Sequence, residues 1–303
     1  MKHLIGFILL CAACLPDTGP PQSRVVGPRI LSVRSEPAEV FPGESVELSV
    51  VAIDGSGKMQ TAPVDWAFCL HPKPPVENNV VHADCLGDGV IPIAGNSQMV
   101  RATIPDEACS LFGPDLPPPL PGMPAGRPRD PDDTGGYYQP VRVTVEGMQA
   151  IGLVRIRCGL PFATPDVAAQ FRTAYIPNRN PTLSALEILD EDNAISALRI
   201  PTNRTLRLRV LIPLESRETF LRFDVSRQSL VSDPEVLRVS WLSAQGSFAQ
   251  SQTMARDGDN RFLYAETSWT SPSSVGSALL WTVLRDSRGG VFPQSFAVEI
   301  VAQ

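Results

Sequence analysis

The clearest pattern in the chain is LRLRVLIP at Leu206–Pro213, where Leu206, Leu208, Val210 and Ile212 alternate with Arg207 and Arg209. A period of two sends successive side chains to opposite faces, so the segment predicts a strand with one buried face. Ser45–Ile53 repeats the pattern, with Val46, Leu48, Val50 and Ala52 on one face and Glu47 and Ser49 on the other. Shorter runs predict further strands at Arg29–Ser35, Val64–Leu70, Val100–Ile104, Val141–Val145, Ile151–Cys158, Phe220–Ser226, Val236–Leu242, Ala265–Trp269, Leu279–Arg285 and Phe296–Val301. Turn chemistry separates them: Phe41-Pro42-Gly43-Glu44, Asp54-Gly55-Ser56-Gly57 and Asp286-Ser287-Arg288-Gly289-Gly290. Helical periodicity is nearly absent; only Asp166–Arg172, behind Pro165, predicts one or two helical turns. Many short strands with turns between them predict an all-β fold of packed sheets.

Breaks in the pattern divide the chain. Residues 28–160 and 181–303 predict two tandem β-sandwich domains, and 161–180 predicts the linker between them. Inside the first lies an insertion at 111–140, so rich in proline and glycine that it predicts neither ladder strand nor helix. Its Pro117–Pro121 run suits a polyproline II helix, although a tolerated surface insertion is the plainer reading. The 30 prolines of the 303-residue chain argue against long helices, and 43% apolar residues argue for folded cores.

The first 13 residues read as a secretory signal: Lys2, then an apolar Leu4–Leu10, then the small Ala12 and Ala13. Even extended to Ala13, the apolar run is about half the ~20 residues that a membrane-spanning helix needs, and no transmembrane helix is predicted. Leu10-Cys11-Ala12-Ala13-Cys14 resembles a bacterial lipoprotein lipobox, with Cys11 where that family usually has leucine. The resemblance implies that Cys14 becomes the acylated N-terminus and anchors the protein in a membrane. Leu15, rather than Asp, after the cysteine implies the outer membrane. Residues 14–27 then predict a short proline-rich tether.

The order of strand, Glu36-Pro37 break, Val-Phe-Pro-Gly-Glu-Ser-Val-Glu-Leu at residues 40–48, Asp-Gly turn and Trp66 strand resembles bacterial immunoglobulin-like domains of cell-surface proteins. The closing strand, Asp-to-Gly-Gly turn and last strand of the second half resemble bacterial Ig-like or PKD-type modules. These likenesses imply tandem immunoglobulin-like sandwiches and a non-enzymatic binding, adhesion or scaffolding role, with an envelope protein or a glycan as partner. A carbohydrate-binding module or an accessory subunit of an envelope complex is the alternative.

The formal charge of −6, with no Lys/Arg run, excludes an electrostatic footprint for nucleic acid. Cys11 leaves with the signal and Cys14 takes lipid, which leaves Cys69, Cys85, Cys109 and Cys158. An even set in an exported chain predicts two disulfides. Three pairings are open; Cys69–Cys85 and Cys109–Cys158 are favoured, the second tying the foot of the insertion to the last strand.

Catalytic chemistry is not predicted. Of three histidines, only His71 and His82 follow the signal, and no G-x-S-x-G occurs. Cys69-x-His71 and His82-x-x-Cys85 offer a zinc set, but an oxidising compartment favours pairing of the two thiols. Asp130, Asp132 and Asp133, and Asp257, Asp259 and Asn260, form acidic turns that do not complete a calcium loop. No metal and no cofactor are therefore predicted. Trp66, Trp241 and Trp281 predict core positions and Trp269 a sheet edge. Tyr137 and Tyr138, beside the insertion, are the candidate exposed aromatic pair for partner binding.

Overall fold

A computed structural model describes residues 19–72, 81–114, 133–191, 193–195, 199–259 and 261–302. The signal, Cys14 and most of the proline-rich insertion lie outside the described residues.

The first sandwich is built from β1 (Arg29–Glu36), β2 (Glu39–Val40), β3 (Ser45–Ile53), β4 (Val64–Cys69), β5 (Val90–Pro92), β6 (Met99–Thr103), β7 (Gly136–Val145) and β8 (Met148–Arg157). One sheet runs β1-β3-β6 and the other β2-β8-β7-β4-β5. The β2–β8 pairing is parallel. The alternation read along β3 is realised: Val46, Leu48, Val50 and Ala52 are buried and meet Trp66, Val141, Val143 and Ile156 of the facing sheet. Gly43, at φ +78°, lets the chain turn into β3, where a side chain at that angle would be strained. A short helix α1 (Ala108–Phe112) leads into the insertion.

The second sandwich contains β9 (Ala185–Asp190), β10 (Asn193–Ile195), β11 (Arg199–Pro201), β12 (Thr205–Pro213), β15 (Arg238–Ser243), β16 (Ser247–Phe248), β17 (Gln252–Met254), β18 (Arg256–Asp257), β19 (Phe262–Thr270), β20 (Gly276–Arg285) and β21 (Val291–Val301). Its sheets run β10-β9-β12-β19-β16 and β11-β21-β20-β15-β17, with β18 beside β19. The two halves share a strand order. In each, a short strand pairs in parallel with the last long strand, which leads through its hairpin partner to a strand carrying a buried tryptophan, Trp66 or Trp241. Both indoles are satisfied, Trp66 by the Ser97 carbonyl at 2.9 Å and Trp241 by the Thr253 hydroxyl at 2.8 Å. A buried tryptophan in that strand is a hallmark of immunoglobulin-like sandwiches.

Three segments differ from the sequence reading, the first being Gly136–Pro140, which closes the proline-rich insertion as the opening of β7, paired with β8. Phe220–Ser226 does not join the second sandwich. As β13 (Thr219–Asp224) it pairs with β14 (Ser229–Pro234) in a separate hairpin. The hairpin reaches the first half, where Phe223 N–H donates to the Asp133 carbonyl at 2.7 Å and Arg222 pairs with Asp133 and Asp233. Trp269 is no edge residue: it is fully buried on β19, between β12 and β16, in the second core.

The halves are also not joined as beads on a string. Val25, Leu31, Ile53, Leu242, Trp281, Val283 and Val291 form a third hydrophobic cluster drawn from both sandwiches. The predicted tether contributes to it. Ser23 and Val25 are buried, and Val25 N–H and the Ser23 carbonyl bond the Ser243 backbone at 2.9 Å each. The predicted linker folds as helix α2 (Pro165–Ala174), which opens on Pro165, whose missing N–H needs no partner there. Phe171 of this helix and Tyr175 just after it are buried, with ring centroids 4.7 Å apart. Asn180 then spans the junction. Its amide nitrogen donates to the Ser35 carbonyl at 2.7 Å and its oxygen accepts the Val291 N–H at 2.8 Å.

Candidate functional site

The junction encloses a network of charged side chains. From the first sandwich come Glu39 on β2 and Arg155 and Arg157 on β8; from the second come Glu218, Glu235, Asp286 and Arg288; Tyr175 stands between them. Arg288 is 1% exposed. It donates to Glu235 at 2.7 Å, to Glu218 at 2.9 Å and to the Tyr175 hydroxyl at 3.2 Å. Tyr175 passes the connection on, donating to Glu39 at 2.9 Å, while Glu39 lies 3.4 Å from Arg155. Glu39 also accepts the Asn178 N–H at 2.8 Å. Gly136 packs flat on the Arg155 guanidinium, where any Cβ would collide.

Burial and pairing pull the ionisation of these groups in opposite directions. Desolvation, then the Asp286 charge, raises Glu235 to about 7, against the opposing pull of Arg288. Desolvation also raises Asp286 and Tyr175. It opposes the charge on Arg155 and Arg288, yet Tyr175 and Glu39 around the first and Glu235 around the second outweigh it, so both stay above the ordinary arginine range. A buried pair of this kind is costly to break and weak as net stabilisation. Its chemical capacity is to hold two bodies in one register.

Beside this junction opens a groove of about 710 Å³ that includes Arg29, Leu31, Arg238, Trp241 and Arg285 in its walls. Arg238 and Arg285 are register partners on β15 and β20, an arrangement of like charges that costs stability. Desolvation pulls Arg285 below the usual arginine range, and its guanidinium donates to the Leu31 carbonyl at 3.0 Å. Asp286 also lines the groove, so its walls carry charge of both signs.

The cysteines pair as Cys69–Cys85 and Cys109–Cys158, with Cα atoms 5.1 and 5.5 Å apart. The first bridge gathers the two histidines. His71 and His82 have ring centroids 5.4 Å apart, and Asp84 joins them, its Oδ2 3.6 Å from His82 Nδ1 and 4.0 Å from His71 Nδ1. His82 caps a short 3₁₀ turn at Ala83–Leu86, its Nδ1 accepting the Asp84 N–H at 3.1 Å. The zinc set read from the sequence is thus divided: both sulfurs are committed to each other, and Asp84, absent from that reading, stands with the imidazoles.

The tyrosine pair is corrected. Tyr137 is 1% exposed in the first core, because alternation along β7 turns it inward. Tyr138 is half-buried and donates to the Arg288 carbonyl at 3.2 Å, so it belongs to the junction rather than to an exposed patch. The acidic turns serve local needs. Asp133 pairs with Arg222 and Asp257 with Arg217, while Asp259 accepts the Arg261 and Phe262 N–H groups, which hold it below the usual carboxylate range. Asp130, Asp132 and Asn260 lie outside the described residues. Sequence reasoning missed Glu39, Arg155, Glu218, Glu235 and Arg288. Charge inside an otherwise apolar β-strand, as at Arg155 in LVRIR, was the available signal.

No protein-family model and no curated protein matches the chain. Among solved structures it is similar to domains 4 and 5 of the S-layer protein SbsC, at 10% identity over 90% of this chain and 100% of that one, with a TM-score of 0.21. It is also similar to a marsupial T cell receptor, at 10% identity over 88% and 99%, with a TM-score of 0.29. The adhesin InvE of Yersinia pseudotuberculosis aligns at 11% identity over 88% of this chain and 58% of its own, with a TM-score of 0.23. Likeness at this level carries no functional information. The all-β, immunoglobulin-like architecture stands on the strand order itself. Two disulfides fit an oxidising compartment. Among the described residues no helix is long and apolar enough to cross a membrane.

Proposed function

We propose that this protein is a lipid-anchored component of the bacterial cell envelope that acts without catalysis, as a binding or scaffolding module held as one stiff body. The junction carries the reading. Domains within a chain move relative to one another unless their interface is large and apolar; here a hydrophobic cluster joins both sandwiches, and the buried ion pairs of each are linked across the junction by Tyr175 and Tyr138 hydrogen bonds. Glu39, Glu218, Glu235 and Asp286 are engaged by arginines or backbone N–H groups, which is a use of charge for position.

The lipobox-like sequence supplies the anchor at Cys14. From Cys14 to Ser23, the first residue buried in the junction, a fully extended chain reaches at most roughly 32 Å. The anchor therefore holds the junction near the membrane surface, and outer-membrane placement follows from Leu15. The carbohydrate-binding alternative needs an aromatic platform. Every tryptophan and tyrosine of the chain is buried or half-buried, and the exposed aromatic residues among the described ones are the phenylalanines Phe41 and Phe162, so a protein partner is the favoured reading.

The test is intact mass and fractionation of the protein made with its own signal in a Gram-negative host. An acylated species starting at Cys14, released from membranes by detergent but not by salt, with Cys14→Ser found in the soluble fraction, supports the anchor. A mature start elsewhere removes it. A scaffold further requires an envelope protein that crosslinks to it in cells in fixed stoichiometry, and less so in Arg288→Ala; no such partner would sink the scaffold reading.

A further inference from the structure

We propose that His71, His82 and Asp84 form a binding site for one divalent transition-metal ion of the zinc class, with at least one coordination position open to water. Two imidazoles and a carboxylate are ligands that zinc accepts, and three protein ligands leave the fourth tetrahedral position free. Two nitrogen donors turn the site away from calcium and magnesium, which take oxygen.

The geometry is close to that of a bound state. Metal–ligand bonds of about 2.0–2.2 Å at tetrahedral angles place ligand atoms roughly 3.4 Å apart. The Asp84 Oδ2 contacts of 3.6 and 4.0 Å to the two Nδ1 atoms, with all three ligand atoms within 4.8 Å of one another, leave the side chains to close by roughly an ångström or less around an ion. Side-chain exposures of 45%, 23% and 58% for His71, His82 and Asp84 leave the ion a way in and the rings room to close. His82 gives up the Asp84 N–H to offer Nδ1, exchanging one hydrogen bond for a metal bond.

Two features prepare the cluster. The Cys69–Cys85 bridge fixes the stretch bearing His71 to the turn bearing His82 and Asp84, so the ligands are gathered before any ion arrives. Gly89 makes room: a Cβ there would stand 2.7 Å from both Asp84 Cβ and His71 Cδ2 and 2.9 Å from His71 Nε2. The glycine N–H also holds the Asp84 carbonyl at 3.0 Å, which sets the turn under the carboxylate.

The experiment uses the mature full-length protein without a histidine tag, its four thiols confirmed as oxidised. It is dialysed against low-micromolar Zn²⁺ and, separately, titrated with Co²⁺ while its visible spectrum is recorded. The expected result is one equivalent of zinc and a cobalt spectrum without thiolate charge-transfer bands. His71→Ala and Asp84→Asn should each weaken zinc binding about tenfold or more. Gly89→Ala should weaken it while leaving all three ligands in place. His82→Asn removes a ligand while asparagine still caps the turn, which keeps loss of metal apart from loss of fold; circular dichroism and the absence of free thiols check the fold of every variant. No retained zinc, zinc held equally by the His71→Ala/His82→Asn double variant, or thiolate bands with cobalt would each overturn the proposal.

Discussion

The indole of Trp281 donates to the carbonyl of Gly57 at 2.8 Å, across 224 residues of chain. Trp281 stands on β20 of the second sandwich and Gly57 in the turn after β3 of the first. Gly57 has φ +87°, and a Cβ there would touch Ala244 and Leu279 at 3.8 Å, so the turn lies flat against the second sandwich.

Replacing this indole should uncouple the halves. Trp281→Ala empties a buried site in the shared cluster and is expected to cost about 3–5 kcal/mol, whereas Trp281→Phe loses the hydrogen bond and leaves a smaller cavity, and should cost about 2–3 kcal/mol. Urea unfolding followed by circular dichroism and by the remaining tryptophans should change from one transition to two in Trp281→Ala. A single unshifted transition would show that the cluster does not couple the sandwiches.

Glu235 should make the junction weaker as pH rises. Its folded pKa is about 7 against an ordinary 4.5, so between those values the folded state binds more protons than the unfolded one. By linkage its contribution is fully present below about 4.5 and is lost as pH rises through about 7. Glu235→Gln cannot titrate. It should match the native protein near the acid end of that window and lack its decline toward neutrality. The check is the urea midpoint of both proteins across the window; parallel curves would exclude Glu235 as the source. Asp286, raised in the same sense by burial, would leave a residual slope in the variant.

Breaking the Glu39–Arg155 pair should be worse than removing it. The side chains are 0% and 2% exposed, so Arg155→Met takes one of two arginines from a buried carboxylate that keeps Arg157 at 3.3 Å, and is expected to cost about 2–3 kcal/mol, less than a fully unpaired buried charge. Glu39→Gln with Arg155→Met should recover part of that loss. Additive losses in this double-mutant cycle would mean that the two charges do not interact.

The disulfides should differ in worth. Cys109–Cys158 closes a separation of 49 residues and Cys69–Cys85 one of 16. Loop entropy then predicts losses of about 4 and about 3 kcal/mol when each pair is replaced by alanines. Denaturant unfolding of the two double variants tests the order, and the Cys69/Cys85 variant should additionally hold zinc less well.

The local pattern of the chain determined its strands and much of its core. Leu206, Leu208, Val210 and Ile212 are all buried on β12, as their period of two requires, and Trp66 and Trp241 are core anchors. That legibility has a simple cause: a strand with one buried face writes its environment into adjacent residues. Local sequence put Trp269 at a sheet edge and Trp281 in a core, yet Trp269 packs within one sandwich and Trp281 between two. Tyr137 reads as exposed beside a proline-rich insertion and is buried because β7 begins there. The repeat of strand order between the halves left no alignable sequence, since cores accept many side chains of suitable volume. The junction network was decided only by the tertiary structure, whereas His71 and His82 were legible as a pair and the structure exchanged their cysteine partners for Asp84. The members of the network come from separate turns and strands, and His71 is distant in sequence from the turn that holds His82 and Asp84. Ionic and metal-binding partners need proximity in space but no periodicity along the chain, so only the packing of two sandwiches and the closure of one disulfide bring them together.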